Sequence, residues 1–375
     1  MSQQLATAKR IVIKVGSALL VDNDTGTIQQ AWFNSLIADV VKCWQEGKEV
    51  ILVSSGAVAL GRKFLKNTNP QLQLEQKQAA AAIGQIQLAH AYQEALAKNQ
   101  IIVAQVLLTL DDSENRRRYL NAKNTLESLL TSRIIPVINE NDTVATAEIR
   151  YGDNDRLAAR VSQMVSADVL ILLSDIDGLY TADPRQNPQA KFIPEVKELT
   201  SEILAMAGNS GSIYGSGGMI TKLAAAKIAL ASGCKMVIAL GKPQNPIMQI
   251  DKVGRNTWFI PKTTPISARK NWIAQHLKPL GALSIDDGAE AALRQGKSLL
   301  AAGMVSLTGE FQKGDCVCIL NSGQQEIGRG LVNYPAREVR KLIGHKSSEF
   351  ADILGYPGCE AVVHRDDLVL HEKLN

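Results

Sequence analysis

The sequence predicts a three-layer α/β/α domain built on a mostly parallel sheet, followed by a smaller β-rich domain. Short β-branched runs alternate with segments of helix-forming residues, which is typical of a parallel sheet covered by helices on both faces. Near residues 261–279 the composition changes, and glycines recur at short intervals beyond that point. A chain of 375 residues is long enough for two domains of this kind.

The strands of the first domain are predicted from six short runs that are apolar on both faces. The segments between several of these runs have the composition of helices. The predicted strands are Ile11–Val15, Val50–Val53, Ile102–Leu108, Ile134–Ile138, Val169–Leu173 and Met236–Leu240, and the predicted helices are Gln29–Gln45, Leu74–Lys98, Ala122–Leu130 and Met219–Ala231.

The second domain is predicted to be connected to the first by a basic stretch that contains no acid before Asp286. We therefore expect a first domain over 1–262, a linker over 263–280 and a second domain over 281–375. Short strands are expected in the second domain at Val305–Leu307, Cys316–Leu320 and Val362–His364.

The net charge of +4 is unevenly distributed along the chain. From Gly281 onward there are 10 Lys/Arg against 13 Asp/Glu, so the excess of basic residues lies in the first domain, where anionic substrates are plausible. No apolar run reaches the roughly 18–20 residues that span a bilayer, and the N-terminus has no signal-peptide pattern. We expect a cytoplasmic protein.

Polar and glycine residues follow four predicted strands at the point where each strand ends. In sheets of this type, ligands bind outside the carboxyl ends of the strands. One such coincidence would mean little, but four on separate strands predict a shared site. The four segments are Gly16-Ser17, Ser54-Ser55-Gly56, Asn139-Glu140-Asn141-Asp142 and Ser174-Asp175.

Two glycine turns that carry a lysine are candidates for holding a nucleotide phosphate. Gly215–Lys222 opens an Ala-rich predicted helix, and Lys14-Val15-Gly16-Ser17 ends the first strand. Glycines allow backbone N–H groups to approach an anion, and a helix start adds free donors. Phosphoryl transfer requires mainly positioning and positive charge. Lys14 and Lys222 therefore predict a phosphate held from two sides.

A cluster of acids and amides, Tyr151–Arg156, precedes a predicted helix that begins at Leu157. Such clusters commonly cap helices. The functional alternative is that one carboxylate orients the two lysines while its neighbours hold an amino group. Asp142, directly after its strand, is well placed to bind a cationic ammonium group.

These motifs resemble those of the amino acid kinase family, in the same order along the chain. The resemblance is strongest to members that phosphorylate glutamate, and the C-terminal part is similar to the PUA domain appended to those enzymes. It covers essentially the whole chain, with Ser216 standing where the family usually has threonine. The matching segments are Lys14–Ser17, Ser54–Ala57, Pro136–Asp142, Gly152–Asp155, Gly178–Arg185 and Gly215–Met219.

The resemblance implies ATP-dependent phosphorylation of the γ-carboxylate of L-glutamate, the first step of proline biosynthesis. It also implies Mg²⁺ with unknown protein ligands, feedback inhibition by proline, and assembly into a homodimer or homotetramer. The catalytic residues would be Lys14, Lys222 and Asp155, the glutamate-binding residues Ser55, Asp142, Asn154 and Asp153, and the ATP-binding residues Lys14, Ser174, Asp175, Ser216, Gly217, Gly218, Met219, Ile220, Thr221 and Lys222.

Two alternatives remain open from the sequence. PUA domains commonly serve RNA-binding proteins, but this C-terminal region is net acidic and lacks interleaved aromatic and basic residues, which argues against nucleic acid. Within the kinases, aspartate, N-acetylglutamate or carbamate could be the acceptor. Asp142 with Asn154 predicts a free α-ammonium group, which disfavours N-acetylglutamate. The choice between glutamate and aspartate rests on the resemblance.

Overall fold

The chain folds into two units, 1–265 and 266–375. The computed structural model describes residues 3–22, 24–65, 72–144, 154–206, 218–250, 252 and 255–371. The first unit corresponds to the predicted α/β/α domain, and the second corresponds to the predicted β-rich domain. The exact bounds 1–262 and 281–375 stay predictions.

The first unit is built on an eight-stranded sheet with the order β3-β4-β2-β1-β5-β9-β10-β8. The first six strands of that order are parallel, β10 is antiparallel to β9, and β8 is parallel to β10. A separate hairpin pairs β6 with β7. The strands are β1 Arg10–Val15, β2 Glu49–Ser54, β3 Val103–Leu108, β4 Ile135–Glu140, β5 Val169–Ser174, β6 Leu179–Tyr180, β7 Phe192–Ile193, β8 Glu195–Val196, β9 Lys235–Leu240 and β10 Asn256–Phe259.

All six predicted strands are confirmed. Both of their faces are apolar because helices cover both faces of the sheet. Alternate residues of one strand therefore enter two different cores: Ile13 packs in one and Val12 in the other. The first core is completed by α3 and α5, and the second by α7, α8 and α10. The helices are α1 Gln3–Ala6, α2 Ser17–Leu20, α3 Gln30–Gln45, α4 Ala57–Arg62, α5 Leu74–Ala97, α6 Leu110–Glu114, α7 Arg116–Thr131, α8 Asn154–Met164, α9 Ser201–Met206 and α10 Met219–Ala231, with a 3-10 turn at Asp142–Val144.

Two glycines bring α4 and α5 into direct backbone contact. A Cβ on Gly61 would lie 1.9 Å from the carbonyl oxygen of Ala80, and one on Gly84 would lie 1.8 Å from the carbonyl oxygen of Ala57. Only glycine leaves room for such an approach. Since α4 directly follows the end of β2, the crossing fixes α5 beside the carboxyl edge of the sheet.

The second unit contains a five-stranded sheet with the order β12-β11-β13-β14-β15. Apolar residues of the strands, of three short helices and of the segments between them form its own core, which includes Phe311, Val317 and Leu342. The three strands predicted here are confirmed, and two more are present. The elements are α11 Pro265–His276, β11 Gly281–Ile285, α12 Asp287–Arg294, β12 Met304–Gly309, β13 Cys316–Leu320, β14 Glu326–Val332, α13 Ala336–Leu342, α14 Phe350–Leu354 and β15 Val363–Leu370, with 3-10 turns at Ala301–Gly303 and Ser347–Glu349.

The segment expected to be a linker contains the helix α11, which belongs to the second unit. Ile273 on this helix is buried against Cys316 and Leu331. Arg269 forms an ion pair with Asp367 of β15. Apolar burial and this ion pair thus fasten α11 to the sheet.

No helix in the described part of the chain combines the length and apolar character needed to cross a bilayer.

Candidate functional site

The centre of the candidate site is a buried carboxylate that lies between two lysines. Asp155 has no exposed surface, and its Oδ1 lies 2.6 Å from Nζ of Lys14 while its Oδ2 lies 3.2 Å from Nζ of Lys222. Lys14 is on β1, Asp155 is in the first turn of α8, and Lys222 is in the first turn of α10. Three elements distant in sequence therefore converge on one point.

The electrostatics of this triad favour an anionic ligand. Burial alone would raise the pKa of the Asp155 carboxyl, but the two ammonium groups outweigh it and hold the pKa below its usual range. The carboxylate is therefore ionised, and two positive charges against one negative charge leave a buried excess of +1. The hydroxyl of Thr221 lies 3.0 Å from Oδ2 of Asp155 and can donate to it.

A cluster of side-chain amides lies next to the triad. Nδ2 of Asn154 donates to Oγ of Ser55 at 2.7 Å and to Oδ1 of Asn139 at 2.9 Å. Both hydrogens of Nδ2 are therefore used. Oδ1 of Asn154 is buried and has no hydrogen-bond partner among the described residues. A buried acceptor without a partner is a place where a ligand can donate a hydrogen bond.

One cavity of about 380 Å³ connects the triad with the amide cluster. It lies at the carboxyl edge of the parallel strands, where the four polar segments were predicted to meet. Several predicted site residues line the cavity: Lys14, Ser55, Asp142, Asn154, Ser174, Asp175 and Lys222.

Asp142 follows β4 in a 3-10 turn and lines the same cavity. Burial raises the pKa of its carboxyl to about 6. A carboxylate that is costly to keep charged gains most from a cationic partner, so this position suits an ammonium group.

The residues predicted to meet the nucleotide are only partly gathered around the cavity. Oγ of Ser174 donates to Oδ1 of Asp175 at 3.2 Å. Gly218 precedes α10 as its N-cap, and Met219, Ile220 and Thr221 form the first turn with Lys222. Unlike Lys222, the residues Gly218, Met219, Ile220 and Thr221 are not among those that line the cavity in the described structure, and Ile220 is exposed. Ser216, Gly217 and Asp153 lie outside the described residues.

The interpretation of Tyr151–Arg156 needs one correction, because α8 begins at Asn154 rather than at Leu157. Asn154 and Asp155 are therefore residues of the helix, and its first turn gives them their fixed orientation. An acid at this end of a helix is also favoured by the helix dipole.

Sequence reasoning missed two members of the site. Asn139 was identified only as part of a polar strand end, yet it accepts the hydrogen bond from Asn154. Gln85, buried in the middle of α5, accepts from Nδ2 of Asn139 at 2.8 Å. Gln85 carried no signal at all, because glutamines occur on every side of this helix.

The described residues form no protein cage for a metal ion. No group of three or more His, Cys, Asp or Glu side chains among them is placed to hold one. Mg²⁺ commonly keeps several waters and binds through substrate phosphates with one or two carboxylates.

Comparison with known proteins matches both units. A sequence model of the amino acid kinase family matches residues 9–240, and one of the PUA domain matches residues 281–354. A protein of Paramagnetospirillum magneticum named Glutamate 5-kinase is 60% identical over 366 residues, which cover 98% of this chain and 99% of the relative. A Glutamate 5-kinase of Sinorhizobium fredii is 55% identical over 362 residues, 96% of this chain and 92% of that protein.

Proposed function

Because this chain belongs to the amino acid kinase family, we propose that it uses ATP to phosphorylate the γ-carboxylate of L-glutamate, giving L-glutamyl 5-phosphate. Relatives named Glutamate 5-kinase match it over nearly the whole length of both chains. The reaction is the first step of proline biosynthesis. The observation that carries the proposal is the Lys14–Asp155–Lys222 triad, which shares one cavity with the amide cluster of Asn154.

The chemistry of the transfer requires charge compensation more than proton transfer. An oxygen of the γ-carboxylate forms a bond to the γ-phosphorus of ATP, and the bond to the bridging oxygen breaks with its electron pair remaining on ADP. A carboxylate is already ionised at neutral pH, so no general base is needed. Lys14 and Lys222 offset the repulsion between the two anions and the charge on the transferring oxygens. Asp155 keeps both ammonium groups in place.

The other end of the cavity suits the amino-acid part of the substrate. Oδ1 of Asn154 and the carboxylate of Asp142 are acceptors for an α-ammonium group. Oγ of Ser55 accepts from Asn154, so its own hydroxyl hydrogen remains to be donated to a substrate carboxylate. An N-acetylated substrate has no ammonium group to fill these acceptors. Asp153 is kept as a neighbouring contact by the family resemblance.

The nucleotide is proposed to lie beside the carboxyl end of β5 and the start of α10. Ser174 and Asp175 border the cavity there, and Lys222 reaches the triad from the first turn of α10. Backbone N–H groups at the start of a helix attract phosphate. The remaining contacts are proposed from the resemblance: Ser216, Gly217, Gly218, Met219, Ile220 and Thr221. Mg²⁺ would accompany the triphosphate and neutralise part of its charge.

Feedback inhibition by proline and assembly into a homodimer or homotetramer are also proposed from the resemblance. Proline carries a cationic ring nitrogen and a carboxylate, so it can compete for the groups that bind the α-amino acid part of glutamate. Inhibition should therefore weaken as glutamate rises.

A coupled assay of ADP release tests this function. The purified chain is supplied with MgATP and with glutamate, aspartate or N-acetylglutamate, each with and without proline. We expect turnover with glutamate, much less with the other two, and loss of activity in Lys14→Met. Hydroxylamine should trap the acyl phosphate as a hydroxamate, in an amount that follows the ADP released with each acceptor. ADP release that is equal for all acceptors, or that persists in Lys14→Met, would refute the assignment.

A further inference from the structure

Gln85 is a polar side chain that α5 buries against the candidate site. Only 8% of its surface is exposed, and its Oε1 accepts from Nδ2 of Asn139 at 2.8 Å. Its Nε2 is buried and meets no hydrogen-bond partner among the described residues. Burying an amide that is only half paired is unfavourable. A role confined to stability would therefore be served better by an apolar residue.

The position of Gln85 is set by the glycine crossing of α4 and α5. Gly84 precedes Gln85 and contacts the backbone of Ala57, which begins α4 two residues after Ser55. The two helices cannot slide along each other without a clash at Gly61 or Gly84. Gln85 is thus held in fixed register with the end of β2 and with Asn139.

The orientation of the side-chain amides of Gln85, Asn139 and Asn154 is set by a backbone N–H group, whose direction cannot be reversed. The N–H of Glu140 donates to Oδ1 of Asn139 at 2.9 Å. Nδ2 of Asn139 must therefore face Gln85, which must present an acceptor. Gln85 does so with Oε1.

The same orientation reaches the ligand cavity. Because Oδ1 of Asn139 accepts from Nδ2 of Asn154, Oδ1 of Asn154 is left as an acceptor, with no partner in the described part of the chain. If Asn139 turned over, Asn154 would lose the partner that fixes its own amide. The cavity could then present a donor where a cationic group must bind.

We propose that Gln85 is a positioning residue for the amino-acid substrate: through Asn139 it holds Asn154 with its acceptor toward the substrate ammonium group. The proposal rests on the proposed function, since it assigns the ligand of that acceptor. Gln85 does not touch the substrate itself. Its effect should therefore appear in the binding of the amino acid and not in the phosphoryl transfer.

Three variants test the proposal by steady-state kinetics. Gln85→Met keeps the length of the side chain and removes the acceptor. Gln85→Glu keeps an oxygen in the place of Oε1. Gln93→Met is the control, because it makes the same glutamine-to-methionine change at an exposed position of α5. We expect Gln85→Met to raise the KM for glutamate about 10-fold, the effect of losing roughly one buried hydrogen bond. The KM for ATP and kcat should stay within about twofold, because an interaction made equally in the ground state and in the transition state affects KM and not kcat.

Rescue by the conservative variant separates positioning from packing. Gln85→Glu should have a KM for glutamate close to that of the parent, and Gln93→Met should match the parent in every constant. Equal impairment of both Gln85 variants, or a parent-like KM in Gln85→Met, would overturn the proposal. If Gln85→Met does not fold, Gln85→Asn withdraws the acceptor by one methylene and should raise the same KM.

An assay of the parent enzyme separates the role of Gln85 from the identity of the substrate. The parent enzyme is assayed first with glutamate, aspartate and N-acetylglutamate. Turnover of a different amino acid would refute the proposed substrate, and the Gln85 variants would then be compared on the acceptor that is used. Turnover of glutamate with an unchanged KM in Gln85→Met would refute the role of Gln85 alone.

Discussion

Nζ of Lys14 lies 2.6 Å from Oδ1 of Asp155, and the side chains are 9% and 0% exposed. At this depth the ion pair is little screened by solvent. Lys222 shares the same carboxylate, so a single acid fixes the positions of both ammonium groups. Three side chains from three elements are therefore held in one fixed geometry, and fixed charges of this kind need little reorganisation during a phosphoryl transfer.

Replacing the bridging carboxylate should reduce both stability and catalysis. Asp155→Asn leaves two buried ammonium groups without their counter-ion, which costs on the order of 3–5 kcal/mol when a buried pair is broken. We expect a lower Tm in differential scanning fluorimetry. ATP should raise that Tm more than it raises the parent's, because the triphosphate supplies negative charge. Glu198→Gln, which removes an exposed ion pair with Lys262, is the control, and an equal loss of Tm in both variants would contradict the role of Asp155.

The two ends of the cavity should respond differently to substitution. Lys222→Met should lower kcat by about 10²-fold or more, because it removes charge that stabilises the transferring phosphoryl group. Lys227→Met, on the exposed side of the same helix, should leave kcat unchanged. Steady-state kinetics with both substrates varied provide the measurement.

Asn154→Ala should act mainly on the glutamate end. Loss of its acceptor is expected to raise the KM for glutamate about 10-fold, with a smaller change in kcat. A fall in kcat as large as that of Lys222→Met, with no change in KM, would contradict this division of roles.

Glutamate binding should depend on pH near 6. The pKa of Asp142 is raised to about 6 by burial, and only its ionised form attracts an ammonium group. kcat/KM for glutamate should therefore be constant above about pH 7 and fall as the pH drops through 6. Asp142→Asn should lower kcat/KM at pH 8 and abolish the dependence near 6. A profile with the same inflection in Asp142→Asn would assign the titration to another group.

A methyl group at the crossing of α4 and α5 should be strongly destabilising. On helix propensity alone, Gly84→Ala would stabilise α5 by about 1 kcal/mol. The new Cβ would lie 1.8 Å from the carbonyl oxygen of Ala57, so the helices must separate. We expect the free-energy cost of separating the helices to exceed the gain in helix propensity. The Tm should therefore fall by several degrees. Gly288→Ala in α12, where the nearest atom is 3.3 Å away, should change Tm little.

Five of the six parallel strands could be predicted from sequence because most of their residues are apolar and buried on both faces of the sheet. The sixth, Val103–Leu108, is only partly buried, but it is apolar apart from Gln105. Short strands and a strand with a higher share of polar residues escaped prediction. Asn256–Phe259 contains Asn and Thr and pairs antiparallel at the outer part of the sheet. The strands Leu179–Tyr180, Phe192–Ile193 and Glu195–Val196 have two residues each, too few to show a period.

Helix ends were harder to predict than helix cores. The helix predicted over Ala122–Leu130 begins six residues earlier, at Arg116. Arginines in a first turn oppose the helix dipole and gave no start signal. The start is decided by Asn115, whose side chain accepts from the N–H of Arg118 at 3.2 Å.

The candidate site was predictable where its residues lie at strand ends or in glycine turns. Lys14, Ser55 and Asp142 are of this kind. Gln85 was not, because its burial depends on a contact between two glycines 23 positions apart. A pattern read along one helix cannot reveal which face another backbone will touch.

The docking of α11 determines where the C-terminal part of the chain can be separated. A fragment that starts at Gly281 would lose Ile273 and bare the apolar surface of Cys316 and Leu331. It would also leave Asp367 without the guanidinium of Arg269. A fragment that starts ahead of Pro265 keeps both the apolar contact of Ile273 and the ion pair of Arg269. That fragment is therefore the one suited to expressing the second unit by itself.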